Sequence, residues 1–197
     1  MKERGIIFNA EMVRAILDGR KTQTRRIVKN VMPDNGIWLK KPTKTRSGAT
    51  THVLDAPKHN LCPLGKVGDR LWVRETFKTG VCTESTIAYK ATHKPSDLEE
   101  GWYEEIKWTP SIHMPRRYSR ITLEIINIRV ERLNDISQSD AIAEGAPPSH
   151  PTIDAISREC GFPDFSRSWF GQTWWHIYGK KNWQDNPWVW VIEFKRI

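Results

Sequence analysis

ITLEIINIRVERL, Ile121 to Leu133, is the clearest strand in the chain, and its reading decides the fold. Ile121, Leu123 and Ile125 alternate with polar neighbours, the two-residue period that aims one set of side chains at a core. Ile126, Ile128 and Val130 then alternate on the opposite parity. That slip predicts a β-bulge, or a strand turning the corner of a barrel. The last segment, WVWVIEFKRI from Trp188 to Ile197, alternates in the same way. Trp188, Trp190, Ile192 and Phe194 share one face, and Val189, Val191 and Glu193 the other.

Working outward, GIIFN (5–9) reads as a short strand entering a helix that Asn9 can cap. Met12, Val13, Ile16 and Leu17 form an apolar stripe at helical spacing, and Gly19 supplies the stop. KTQTRRIV (21–28) then reads as a strand, with Thr22, Thr24 and Arg26 on one face and Gln23, Arg25 and Ile27 on the other. Lys21 lies at the corner between helix and strand. In VGDRLWVRETF (67–77), Gly68-Asp69 is a turn and Leu71 to Phe77 a strand, and STIAYKA (85–91) is a strand that pairs with it. Ser137 with Asp140 resembles a capping box opening a short helix, SQSDAIAEG, that Gly145, Pro147 and Pro148 end. After a loop, SRSWFGQTWWHIYG (166–179) reads as a second late helix closed by Gly179. Residues 29–66 and 92–119 are broken by prolines and read as irregular. These elements predict an α+β chain: a small closed or nearly closed β-barrel of about five to six strands with peripheral helices. Pattern alone leaves other α+β folds open.

Composition narrows the function classes. A chain of 197 residues suits one domain and buries a core without disulfides or metal. Lys and Arg number 31 against 23 Asp and Glu, a net charge of +8, which points to an anionic partner, nucleic acid first. Cys62, Cys82 and Cys160 are scattered, with no CxxC pair. A disulfide framework and a zinc ribbon are therefore not expected, and a reducing, cytoplasmic setting is. No run approaches the ~20 apolar residues that cross a bilayer.

The six histidines, His52, His59, His93, His113, His150 and His176, show no metal-ligand spacing. GxSxG, Walker and GxGxxG motifs are absent. Cys62 has no evident activating base. Trp174, Trp175, Trp188 and Trp190 sit in periodic elements and read as core rather than as base-stacking residues. PRRYSR (115–120) is a basic, proline-stiffened loop, and its spacing fits a phosphate-contacting rim and a solvated loop equally.

LDGRKTQTRRIV (17–28) carries the remaining chemistry. A lysine beside a hydroxyl can hydrolyse a carbonyl compound if burial or nearby cations lower its pKa. The neutral amine then takes the threonine proton, and the oxygen attacks. Arg20, Arg25 and Arg26 push Lys21 that way. A carboxylic acid is still needed to protonate a leaving nitrogen.

GRKTQTRR together with VGDRLWVRE resembles the ASCH family, RNA-associated domains related to the PUA fold. Gly19, Lys21 and Arg26 match its Gly, Lys and later Arg; Gly68 and Asp69 match its turn; WVWVIEFKRI is similar to its terminal strand. WTPSIHMPRRYSRITLEI and ISQSDAIAEGA resemble the longer members often carried by phages and prophages. The resemblance implies a single PUA-like domain over 1–197 with insertions at about 30–60 and 146–168. One branch of the family is a bacterial N4-acetylcytidine amidohydrolase. Its residues carry over to Lys21 as base, Thr24 as nucleophile and Glu144 as acid, releasing acetate and cytidine without a metal or cofactor. The expected partner is thus RNA or a modified nucleoside, held by Arg25, Arg26, Arg74, Arg116, Arg117 and Arg120. Other members resemble metal-dependent ribonucleases or only bind RNA, so both alternatives stand, as does a phage accessory protein with a protein partner.

Overall fold

The computed structural model describes residues 1–32, 36–40, 50–81, 86–94 and 106–197. In chain order the elements are β1 (Glu3–Ile7), α1 (Ala10–Leu17), β2 (Gln23–Ile27), β3 (Trp38–Lys40), β4 (Thr50–His52), β5 (Arg70–Arg74), β6 (Phe77–Thr79) and β7 (Ile87–Tyr89). They continue with β8 (Thr122–Arg132), α2 (Gln138–Ala143), α3 (Pro151–Glu159), α4 (Phe165–Tyr178), α5 (Lys180–Gln184) and β9 (Trp188–Arg196). Five strands form the main sheet in the order β1-β5-β8-β9-β2. All neighbours in it are antiparallel except β1 and β5.

β8 and β9 are the spine of this sheet. Their alternation is the one read from sequence, and the register shifts between Ile125 and Asn127. Ile126 is the extra residue and stands exposed. The bulge restores the pattern: Ile125 faces Phe194 before it, and Ile128 faces Ile192 after it. One face therefore stays continuously apolar, with Leu71, Leu123, Ile125, Ile192 and Phe194 all buried against α1 and Phe8. A second core lies on the opposite face, where Val189 and Val191 meet Phe170 and Trp174 of α4.

The sheet is not closed into the expected barrel. β1 and β2 are its two edges and share no ladder among the described residues. Side chains bridge the gap: Arg26 Nη2 donates to the Ile7 carbonyl at 3.0 Å. Its guanidinium lies 5.4 Å from the centroid of the buried Phe8 ring.

Two local readings also change. The strand expected from Leu71 to Phe77 is two, and it is β6 that pairs with β7. The loop before α4 contains α3. Pro151 occupies its first turn, where a missing N–H costs nothing, and His150 Nδ1 accepts from Thr152 N. The excursion at 30–60 holds the β3–β4 pair, with 33–35 and 41–49 outside the described residues, as are 95–105 of the irregular stretch 92–119 and Cys82. The Gly68-Asp69 turn has a structural task. Asp69 accepts from Lys2 N at 2.7 Å and Lys66 N at 3.2 Å, tying the start of β1 to the start of β5.

Candidate functional site

α1 and α2 place the site at the free edge of β2. Asn9 caps α1 by accepting from Met12 N at 2.8 Å, and the helix ends at Gly19 with φ +75°. The chain then turns into β2, and Lys21 N bonds back to the Ala15 carbonyl at 2.9 Å. α2 arrives from β8. Ser137 caps it, its hydroxyl accepting from Asp140 N at 3.1 Å, and Glu144 stands at its C-terminus. Gly145 follows with φ +104°; a Cβ there would lie 3.2 Å from Ala15 Cβ and 3.5 Å from Lys21 Cβ. Both conditions favour glycine, and they let the helix end sit directly on the α1–β2 corner.

The corner takes up the helix carbonyls that have no partner within α2. Thr22 N donates to Ala143 O at 2.8 Å, Lys21 Nζ to Glu144 O at 2.8 Å and Arg20 to Gly145 O at 3.2 Å. Lys21 Nζ also meets Glu144 Oε2 at 2.6 Å. Lys21 is 2% exposed and Glu144 5%. Burial lowers the lysine pKa below its ordinary value, Glu144 opposes that, and Arg26 and Arg25 add to the lowering. Of the three cations expected to act on Lys21, Arg25 and Arg26 contribute, and burial outweighs both.

Lys21 and Glu144, 123 residues apart, are thus in contact. Thr24 is 1% exposed and points to the face opposite Gln23 and Arg25, opposite Ile192 in the ladder. Its hydroxyl accepts from Arg26 Nη1 at 3.0 Å and makes no hydrogen bond to Lys21. Phe8 links the two halves, with Lys21 Nζ 5.8 Å from its ring centroid and Arg26 on the same ring.

The arginines separate into different environments. Arg25 is buried, bonds Glu144 Oε1 at 3.2 Å, and pairs with Glu131 and Asp140. It faces inward, away from any phosphate at the surface. Arg120 makes a two-pronged contact with the buried Glu75, both bonds at 2.9 Å, and covers the Tyr89 ring. Arg116 binds Glu3 at 3.0 Å. Arg26, Arg74 and Arg117 form no ion pair with a carboxylate among the described residues: Arg74 donates to the Ile112 carbonyl, and Arg117 covers Tyr118.

Residue spacing did not reveal the charged cluster behind Glu144. Arg129 of β8 pairs with Glu131, Asp140 at 2.8 Å and Glu193. Gln23 is 2% exposed beside it, and its Nε2 donates to nothing. The available signal was period-two alternation of opposite charges, Arg129 with Glu131 on one strand and Glu193 on the next, all on the face of Arg25. Such residues read as solvent-facing until a helix is known to cover them.

Among the described residues no group of three or more His, Cys, Asp and Glu is placed to hold a metal ion. Cys62 is buried, and burial raises its thiol pKa. Trp174 and Trp190 are buried, whereas Trp175 and Trp188 are half-buried. A cleft of about 380 Å³ between Phe162, Trp175 and Trp183 and another of about 150 Å³ beside Cys62 and Ile128 are both lined without Lys21, Thr24 or Glu144. No described helix is long and apolar enough to cross a membrane.

No family model matches the chain. Over 111 residues, 56% of its length, it is 27% identical to Glycerol kinase 2 of Streptomyces avermitilis, and it spans 22% of that protein. The crystal structure of an ASCH domain from Lactobacillus crispatus JV V101 aligns with 99% of this chain and 79% of its own, at 14% identity and a TM-score of 0.37.

Proposed function

We propose that the chain is a PUA-like, ASCH-type hydrolase acting on RNA or a modified cytidine, with its reaction centre at the Lys21–Glu144 corner. The supporting observation is a buried lysine, its pKa lowered by desolvation, in contact with a carboxyl group and three residues before a hydroxyl held by a guanidinium. The reading takes residues 1–197 as one domain with 30–60 and 146–168 as additions, needs no cofactor, and places the work in the cytoplasm.

The chemistry is amide hydrolysis of an N4-acetylcytidine. The neutral Lys21 amine takes the Thr24 proton, and the oxygen attacks the acetyl carbonyl. The nearby Arg26 guanidinium favours the ionised oxygen. Glu144 delivers a proton to N4 as the C–N bond breaks, and cytidine leaves. Water then cleaves the acetyl ester on Thr24, releasing acetate. Lys21 must exchange its bond to the Glu144 carbonyl for one to Thr24 when substrate binds.

Incubation with N4-acetylcytidine and with mixed RNA, read by chromatography, tests this. Acetate and cytidine are expected, with a loss of ~10²-fold or more in Lys21→Ala. Equal rates in wild type and variant end the proposal.

A second reading is a non-catalytic RNA-binding module. One observation favours it: Arg20, Lys21 and Thr22 all serve the carbonyls of α2, so the corner is complete without substrate. On that reading Lys21→Ala lowers the melting temperature, no nucleoside or RNA is cleaved, and RNA binding falls steeply with salt.

A further inference from the structure

The sheet face that carries Arg25 and Arg129 continues past β8 onto β5 and β1. There the register sets Trp72 between Gly5 and Thr122, and Arg74 beside Ile7. The half-buried Trp72 ring covers Gly5 of β1: a Cβ built on Gly5 would come 2.8 Å from its Cζ2 and 3.1 Å from its Cε2. Glycine is what lets a large ring rest on strand backbone. Arg70 and Arg74 stand two residues either side of it on the same face, and the Arg74 guanidinium is 5.5 Å from the ring centroid. Arg116 donates to Thr122 Oγ1 on the far side at 3.3 Å.

We propose that Trp72 on Gly5, flanked by Arg70 and Arg74, is a stacking platform for one base of single-stranded RNA. The proposal rests on the nucleic-acid reading above and deepens it, naming a strand rather than a free nucleoside as the preferred substrate. A planar ring beside Arg74, whose guanidinium forms no ion pair among the described residues, matches an unstacked base with its flanking phosphate, while Arg70 lies between Glu3 and Glu124 in the ladder. Neither Arg70 nor Arg74 forms a salt bridge among the described residues; both are half-buried, each has a buried Nε–H without an acceptor, and Arg74 donates to the Ile112 carbonyl. β1 connects the platform to the edge of β2 through its backbone. Ile7 is the register partner of Arg74, its carbonyl accepts from Arg26, and Arg26 holds Thr24 Oγ1. Arg26 likewise has no carboxylate partner among the described residues.

Fluorescence anisotropy of a short labelled single-stranded RNA tests the platform. Trp72→Ala is expected to weaken binding about 5- to 150-fold, the range of one lost base–aromatic stack. Trp72→Phe keeps a ring and is expected to retain most of the affinity. Arg74→Gln, which disturbs the fold less, is expected to weaken binding and lower the salt slope by about one. Lys181→Ala, removing an exposed charge on α5, is expected to bind as wild type. Wild-type affinity in both Trp72→Ala and Arg74→Gln overturns the proposal, as does an equal loss in Lys181→Ala or equal affinity for duplex RNA. Binding needs no turnover, so the two readings fail separately. Trp72-dependent binding without acetate release sinks only the hydrolase; acetate release from N4-acetylcytidine without strand binding sinks only the platform.

Discussion

One face of the five-stranded sheet carries arginines at both ends, in opposite circumstances. On the β2–β9–β8 half, α2 and α4 cover the face. Arg25 there is buried among Glu131, Asp140 and Glu144, and Arg129 meets Glu131, Asp140 and Glu193. On the β1–β5 half, Arg70 and Arg74 occupy equivalent alternating positions and form no ion pair among the described residues. The residue type and strand period are shared; what differs is the cover. A guanidinium beneath a helix must bring carboxylates with it, because an unpaired charge out of water costs several kcal/mol. Arg70 and Arg74 are only half-buried, so the requirement is weaker there and their charge stays nearer to an anion from outside.

The largest expected effect breaks this comparison if it fails. Arg25→Ala leaves three carboxylates crowded under α2, and urea denaturation should show a loss of about 3–5 kcal/mol. Arg74→Ala on the other half should cost no more than about 1 kcal/mol. The covered cluster should also resist salt, since buried pairs are screened far less than exposed ones. Equal losses in the two variants would mean that helix cover does not separate the two halves.

Those two environments also mark where sequence reading stops. The parts legible in advance were local. Hydrophobic alternation revealed β8 and β9, and the slip at Ile125–Ile126 revealed the bulge. Asn9 and Ser137 announced α1 and α2 because a cap needs only residues within reach of the first turn. α3 was hidden because Pro151 has opposite meanings inside a helix and at its first turn. The open sheet was hidden because closure depends on how closely the edges β1 and β2 approach, which no local pattern encodes. Arg25 was expected at a phosphate because alternation gives a residue's side of a strand but not what covers that side. The approach of Glu144 to Lys21 rested on family resemblance, since no spacing joins positions 123 residues apart.

A smaller effect sharpens the comparison by loosening the cover itself. Ser137 is the N-cap of α2, the helix that delivers both Asp140 and Glu144. Ser137→Ala should cost about 1 kcal/mol. Because the cap and the cluster share α2, its combination with Arg25→Ala should depart from additivity, which a double-mutant cycle measures. Strict additivity would make α2 a rigid lid whose anchoring is independent of the charges beneath it.

The smallest effect is a pH dependence confined to the covered half. Burial works to raise the Asp140 carboxyl pKa, yet Arg25 and Arg129, with hydrogen bonds from Ser137 and Arg129, bring it below the ordinary aspartate value of about 3.9. An acid whose folded pKa is depressed binds fewer protons folded than unfolded between the two values. Its contribution is therefore complete above the unfolded pKa and is lost as pH falls through the folded one. Wild type should lose stability below about pH 4 by an increment that Asp140→Asn does not show, because the amide has no proton to gain. The difference between their acid denaturation curves isolates this one carboxylate from the other acids of the chain. If the curves stay parallel through that window, the guanidinium–carboxylate contacts under α2 do not depress Asp140, and the electrostatic distinction between the two halves of the face loses its titratable marker.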